Sequence, residues 1–557
     1  MDIFSLREHC TKIIMIFIML IMFTTITGCM TSFIREDDPR HTHLLETDVN
    51  KIDSIALDAL SQSTPISIED AAHNYLNTVL KVESATKTIE LNLEEVRASA
   101  LANNLDLIVQ LVNPTLANEL LHEERAKFEA VFYGSLSYSK SDTPTSTQLE
   151  GSKAANTFFE TGIRQLLPTG GQLDMSWSSS RYETDNRFAT LNPAFNSDLT
   201  FSFSQPLLRN AGLRANTHTI RVTKLQKKIA DAQTKLESIR VLALADKAYW
   251  NVYAASRELE VARQQYDLAR KQLNDANNRV KSEAAPQIEI TRAESGLAAR
   301  MEEIIRASTT MQLQMRELKR IMNRADLPLD STNTINLKSE PNPIGLQLDP
   351  ATVTALAIQN RMEMLELELR LAVDESVIDF ARNGKLPFFA VDYQYNLNGL
   401  GSQYGGAYEV LNDGKFADYA ARLRGEIPLG NQAANARFRQ AMLLRVQRLA
   451  TKELREQTIR QETLNALDQL QQNWQRILAA RQDVIFAGRT YEAERRQFEL
   501  GVRTSTDVLD AAARLAAAQL REIHALVDYQ IAQVDIAYAA GALLGHAQVQ
   551  WEALTIN

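Results

Sequence analysis

The sequence predicts an α+β membrane protein built from two tandem structural repeats, and three features carry that expectation. The same order of patterns occurs twice: a short amphipathic segment, alternating aromatic runs that end in a proline, then two long heptad-patterned stretches. The long stretches exceed what a compact domain needs, and the aromatic runs are too few in one chain to close a sheet.

The repeat is visible in particular residues. "LEEVRASALANNLDL" (Leu93 to Leu107) has a counterpart in "LDPATVTALAIQNRMEM" (Leu348 to Met364), each reading as a short amphipathic helix. "FEAVFYGSLSYSKS" from Phe128 pairs with "LPFFAVDYQYNLNG" from Leu386, and both alternate as strands do. "LTFSFSQPLLRNAG" from Leu199 and "AARLRGEIPLGNQAA" from Ala420 follow, with Pro206 and Pro428 marking matching exits from strand into helix.

Beyond each exit runs a heptad stripe. Leu242, Ala245, Tyr249, Val252, Ser256, Leu259, Arg263, Tyr266, Arg270 and Leu273 recur 225 positions later as Leu467, Leu470, Trp474, Ile477, Arg481, Val484, Gly488, Tyr491, Arg495 and Phe498. Spacing of three and four puts one narrow seam on an otherwise polar helix. A helix from about Ala215 to Glu283 would be roughly 100 Å long, so it must lie along other helices. Downstream, Ile290, Glu294, Leu297, Met301 and Ile304 match Val508, Ala512, Leu515, Gln519 and Glu522 at an offset of 218, one heptad shorter. Gly501 thus stands opposite "KSEAAPQIE" (Lys281 to Glu289), one turn using glycine and the other Pro286.

The remaining sequence bounds the function. With 45% hydrophobic and 23% charged residues in 557, the chain can bury a large core, and a net charge of −9 without a basic block argues against a nucleic-acid partner. Arg7 and Lys12 precede the apolar run "IIMIFIMLIMF" and the small residues of "ITGC", the pattern of an export signal over 1–28. Cys10 would leave with it, so Cys29 would be the sole cysteine of the mature chain and no disulfide could form within it. Residues 29–65, with Pro39 and Pro65, read as a tether in which His41 and His43 are solvated. Asp507 and Asp510 read as solvated or capping carboxylates, no catalytic motif occurs, and no metal or cofactor is expected.

Four aromatic strands cannot close a transmembrane barrel, whose smallest examples have about eight, and lipid does not tolerate an open edge. Three copies would give twelve strands and twelve long helices. Between the first two strands, "FFETGIRQLLPTGGQLDMSWSSSRYETDN" (Phe158 to Asn186) has the pattern of an extra hairpin, which either lengthens the barrel strands or covers the mouth. In the second half, Gly399, Gly401 and Gly405 read as an extracellular loop without a following helix, and so as no dinucleotide fingerprint.

With these patterns in this order, together with "SQPLLRNAG", "GEIPLGN" and "LGVRTSTDVLDAAARL", the chain over about residues 66 to 546 resembles the TolC family of outer-membrane efflux proteins. The resemblance implies a homotrimeric, twelve-stranded transmembrane β-barrel continued by a long periplasmic α-helical barrel. It implies a first repeat over 66–335, a second over 336–546 and a C-terminal tail over 547–557. It also implies a passive exit duct in a tripartite efflux or secretion system, opened by a periplasmic membrane-fusion adaptor and energised by an inner-membrane pump, and not an enzyme. "ITGC" resembles the lipobox of acylated members. That implies a palmitate-bearing Cys29 anchored in outer-membrane lipid, with Met30 pointing to the outer membrane. The adaptor would meet two tips: Gly501, Val502, Arg503 and Thr504, which match the family's pattern as Leu-Gly-Val-Arg, and Ser282, Glu283, Ala284, Ala285 and Pro286, which depart from it. The alternative is a lipid-anchored periplasmic coiled-coil adaptor or scaffold, against which the aromatic strands before each long helix argue.

Overall fold

The computed structural model describes residues 88–146, 151–283, 286–331, 333–500 and 502–550. The expected signal, tether and Cys29 lie outside these, as do Ala284, Ala285 and Gly501. The first described element, β1 (Thr88–Leu91), pairs in parallel with β6 (Thr334–Leu337), so the opening strands of the two repeats lie side by side. β6 crosses the 335/336 division expected from the sequence.

Each single short helix expected after these strands is two helices with a corner between them. α1 (Leu93–Asn103) begins with a capping box, Asn92 accepting from the Glu95 N–H at 2.7 Å while Glu95 accepts from the Asn92 N–H. Asn104 ends α1 in an extended conformation, and its side chain caps α2 (Leu105–Ala126). The second repeat copies this with α6 (Pro350–Asn360), capped by Asp349, and α7 (Met362–Asn383), the corner falling at Arg361.

The sheet corrects the expected four strands to six. β2 (Ala130–Asp142), β3 (Lys153–Leu166), β4 (Gln172–Thr184), β5 (Ala194–Pro206), β7 (Phe388–Gly401) and β8 (Ala417–Glu426) form one antiparallel sheet in the order β2-β3-β4-β5-β7-β8. The extra hairpin is therefore part of the wall, hydrogen-bonded along its length to β2 on one side and β5 on the other. Its turn is closed by Leu167 and Gly171 around Gly170 at φ 90°, where a Cβ would meet the Asn210 carbonyl at 2.3 Å.

A second correction concerns the glycines after β7. Gly399 and Gly401 belong to that strand, and α8 (Tyr404–Asp413) opens directly behind them and folds back on the sheet. The glycines permit the close approach. A Cβ on Gly399 would lie 2.1 Å from the Ala407 carbonyl oxygen, and one on Gly401 2.4 Å from the Ala407 nitrogen.

The long helices follow short strand exits. A single turn, α3 (Leu213–Asn216), leads into α4 (His218–Lys281), and α5 (Ile288–Met322) returns. In the second repeat α9 (Gln432–Glu499) is answered by α10 (Ser505–Ala539), and α11 (Leu543–His546) closes the fold. At 64 and 68 residues, α4 and α9 are each about 100 Å long. Their ends, Lys281 and Glu499, differ by 218, the offset of the downstream helices.

The seam residues form the core. Tyr249, Trp250 and Val252 pack with Leu91, Val96, Leu318 and Met322 where α4 meets α1, α5 and the small parallel pair. Leu467, Leu470 and Ile477 pack with Tyr529 and Ile536 between α9 and α10. A third cluster, Ile239, Leu242, Val534 and Leu543, joins α4 to α10 and so fastens one repeat to the other. Full burial of each large apolar side chain stabilises by about 1.5–3 kcal/mol. Two buried tyrosines also hold the connector between repeats: Tyr249 bonds both the N–H and the carbonyl of Ser339, and Tyr529 donates to the Ile344 carbonyl at 2.5 Å.

Candidate functional site: a two-faced wall and a helical tip

The register of the sheet sorts its residues into two unlike faces. One cross-strand row reads Phe132, Ile163, Met175, Phe201, Tyr395, Tyr419, all exposed. The next row, on the opposite face, reads Tyr133, Gly162, Ser176, Thr200, Asn396, Asp418. Successive residues of a strand point to opposite faces, so the alternation persists along every strand. The apolar face continues through Leu136, Phe159, Trp177, Phe203 and Leu423, and the polar face through serines 135, 137, 139, 178 and 180.

An exposed apolar face beside a hydroxyl-rich one is the division a lipid-spanning β-wall requires, apolar outward and polar inward. Strands of 10 to 14 residues meet the roughly 9–11 that a tilted transmembrane strand needs. Among the described residues no helix is long and apolar enough to cross a membrane.

The polar face carries paired charges. Asp174 accepts from Tyr133 at 3.0 Å and from Arg164 at 2.8 Å, and the Asp392 carboxylate takes a bidentate hydrogen bond from the Arg424 guanidinium. Over the whole face, six carboxylates (Glu160, Asp174, Asp198, Asp392, Asp418, Glu426) stand against three guanidinium groups (Arg164, Arg422, Arg424).

Among the described residues, the two lateral edges of the sheet lack partners. β2 and β8 end the sheet, and nearly every residue of both is exposed. The helices adjoining them show the same openness. α2, leading into β2, exposes Leu105, Val109, Val112, Leu116 and Leu120 at helical spacing, and α9, leaving β8, exposes Leu443, Val446 and Leu454. One side of the chain thus presents α2 with β2, the other β8 with α9.

At the far end of the helices, the tips expected from the sequence come together. The Arg279 guanidinium lies over the Phe498 ring at 4.1 Å, joining the end of α4 to the end of α9. Ser282 ends α4, its hydroxyl donating to the carbonyls of Asn278 and Arg279, and Glu283 follows in the left-handed region at φ 57°. Pro286 accepts from the Glu289 N–H as α5 begins.

In the second tip the Val502 N–H reaches back to the Gln497 carbonyl at 2.9 Å, the long bond of a Schellman ending. Thr504 starts α10 with a capping box to Asp507. The Thr504 N–H and hydroxyl, helped by the nearby Arg503 charge, hold the Asp507 carboxyl below its ordinary range. Asp507 is therefore a capping residue, and Asp510 is exposed. Arg503 bonds Gln497 at 3.1 Å and pairs with Glu494 at 3.3 Å. Leu500 (80% exposed) and Val502 (71%) project from this tip, with Ile288 exposed on the other. The sequence pointed to Val502 but not to Leu500 or Ile288, although a large apolar residue on each side of the glycine in "LGV" was the available signal.

No group of residues among those described could hold a metal ion. The geometry is that of a membrane wall joined to a helical stalk with a two-part tip.

Residues 353–542 match the family model described as outer membrane efflux protein. Over that stretch the chain is similar to outer membrane efflux proteins. No curated protein matches it. Among solved structures, the chain resembles the CmeC outer-membrane channel of Campylobacter jejuni at 16% identity and TM-score 0.58, over 81% of this chain and 86% of that one. The MtrE channel of Neisseria gonorrhoeae matches at 16% identity and TM-score 0.57, over 81% and 89%. The outer-membrane protein VceC of Vibrio cholerae matches at 13% identity and TM-score 0.58, over 81% and 96%. The efflux-protein match covers the second repeat, and the structural likeness extends over the first as well.

Proposed function

We propose that this chain is an outer-membrane efflux protein working as a homotrimeric passive exit duct, its helical tips docking on a periplasmic adaptor that links it to an inner-membrane pump. The observation that carries the reading is the pair of complementary unpartnered edges. A sheet with one lipid-facing side cannot leave β2 and β8 open in the membrane, where each unsatisfied backbone group costs several kcal/mol. The two edge strands run in opposite directions, so β8 of one copy can continue the antiparallel ladder on β2 of the next. The same step lays the apolar stripe of α2 against α9. A heterologous contact of this kind closes into a ring when the rotation permits, and three copies agree with the resemblance.

The docking site comprises Ser282, Glu283, Ala284, Ala285 and Pro286 with Gly501, Val502, Arg503 and Thr504, to which the exposed Leu500 and Ile288 are added. An adaptor's helical hairpin would cover Leu500 and Val502 and meet Arg503 at the rim. Docking favours the open arrangement only so far as the adaptor binds it more tightly than the closed one. Acylation of Cys29 would add an anchor in outer-membrane lipid, and no chemical step is assigned to the chain. In the proposed division, 1–28 is the signal, 29–65 the tether, 66–335 and 336–546 the repeats and 547–557 the tail.

The test is Val502→Glu with Arg503→Glu in cells that depend on this chain for efflux. The expected result is loss of efflux with the trimer still present in outer membranes. Normal efflux from the double variant would overturn the tip assignment.

A further inference from the structure

We infer that the membrane segment is an eighteen-stranded barrel, with a bore wide enough for large hydrated cargo and a net acidic lining. The inference rests on the trimeric reading and goes beyond it, since the resemblance implies twelve strands.

Each chain contributes six strands, so three copies give three times six. The additional pair is built as wall. β3 and β4 are hydrogen-bonded on both flanks without a gap in register, from Ala130↔Gln165 at one end to Asp142↔Lys153 at the other. They also carry the wall's two-faced pattern, Ile163 and Met175 continuing the apolar row while Gly162 and Ser176 continue the polar one. A hairpin folded over the mouth would need neither feature. Its short turn also lies beside the helix entry. The Gly212 N–H donates to the Thr169 carbonyl at 2.9 Å, and Gln205 bonds Thr169. This places the turn on the helical side, where outer-membrane barrels keep their short turns.

Barrel diameter grows roughly in proportion to strand number, so eighteen strands give about 1.5 times the diameter and about twice the cross-section of twelve. Barrels of about 16–18 strands hold an aqueous channel. Here the channel would be lined by hydroxyls and an excess of carboxylates, a surface suited to hydrated, cationic or neutral cargo. The β3–β4 pair stands above no long helix of its own, so the wall is wider than the helical stalk that feeds it, and passage is limited in the stalk.

The experiment is electron microscopy, at strand-resolving resolution, of the full-length protein in lipid nanodiscs, beside a variant lacking Lys153–Thr184. β2 and β5 start or end on the same side, so the shortened chain can pair them directly. The expected result is eighteen strands in the full chain and twelve in the variant, with a diameter ratio of about 1.5. A three-fold particle with twelve strands and the hairpin outside the wall would overturn this inference and leave the exit duct standing. A particle without three-fold symmetry would overturn both. If the variant fails to fold, the strand count of the full chain decides alone.

Discussion

Replacing Arg97 with methionine isolates the buried charge that fixes α1 to the long helix α4. Asp246, on the seam side of α4, is wholly buried, and Arg97 meets it with two parallel hydrogen bonds of 2.7 and 2.8 Å. Methionine keeps much of the arginine's apolar bulk and removes both donors, leaving a carboxylate in the core. Losing one partner of such a pair costs about 3–5 kcal/mol, because the remaining charge keeps its desolvation penalty. Replacing Asp246 by leucine as well removes that penalty, so the double variant should recover most of the loss. The assay is thermal unfolding of the detergent-solubilised protein, followed by helical circular dichroism, for the two single variants and the double. A transition lowered in Arg97→Met and largely restored in the double variant is expected. If Arg97→Met unfolds within about 1 kcal/mol of the wild type, or the double variant is worse than either single, the reasoning fails.

Other outcomes follow from the same geometry. Glu258 bonds His524 across α4 and α10 at 2.8 Å and raises the histidine's pKa against the opposing effect of burial. This contribution is full below about pH 6.5 and is lost as pH rises through the folded value, so Glu258→Gln should flatten the pH dependence of stability above that point. Burial, with the Arg97 charge, lowers the pKa of His546, so its contribution has the opposite sign and is lost as pH falls below about 6.5. His546→Gln should improve acid stability, measured as the thermal transition at pH 5. Thr504→Ala removes the α10 cap and should cost about 1 kcal/mol, seen as faster amide exchange confined to the first turn of α10. Leu500→Asp should weaken binding of the proposed adaptor hairpin without changing the protein's unfolding, since Leu500 is 80% exposed.

The parts legible in the sequence were those written in periodicity. Tyr249 and Leu470 lie in heptad stripes, and the structure buries both in the seam. The alternation from Phe128 and Leu386 marked β2 and β7, and the change of offset to 218 anticipated where α4 and α9 end. The missed elements are those whose meaning lies in a partner. Alternation in Phe158 to Asn186 says strand, but only the register with β2 and β5 says which sheet. α2 contains Pro114 and directs its apolar stripe away from the chain's own core, so it lacks the signature of a packed helix. Gly399 and Gly401 suggested a loop because glycine is weak in strands, whereas their role is to admit the backbone of α8.

The central claim, a three-chain exit duct in the outer membrane, is tested most directly by the native mass and symmetry of the full-length protein extracted from isolated outer membranes. The account predicts recovery from that membrane as a particle of three chains, a three-fold hollow cylinder with a long stalk. A single-chain particle, or its recovery from the inner membrane alone, would contradict the account and favour a lipid-anchored scaffold.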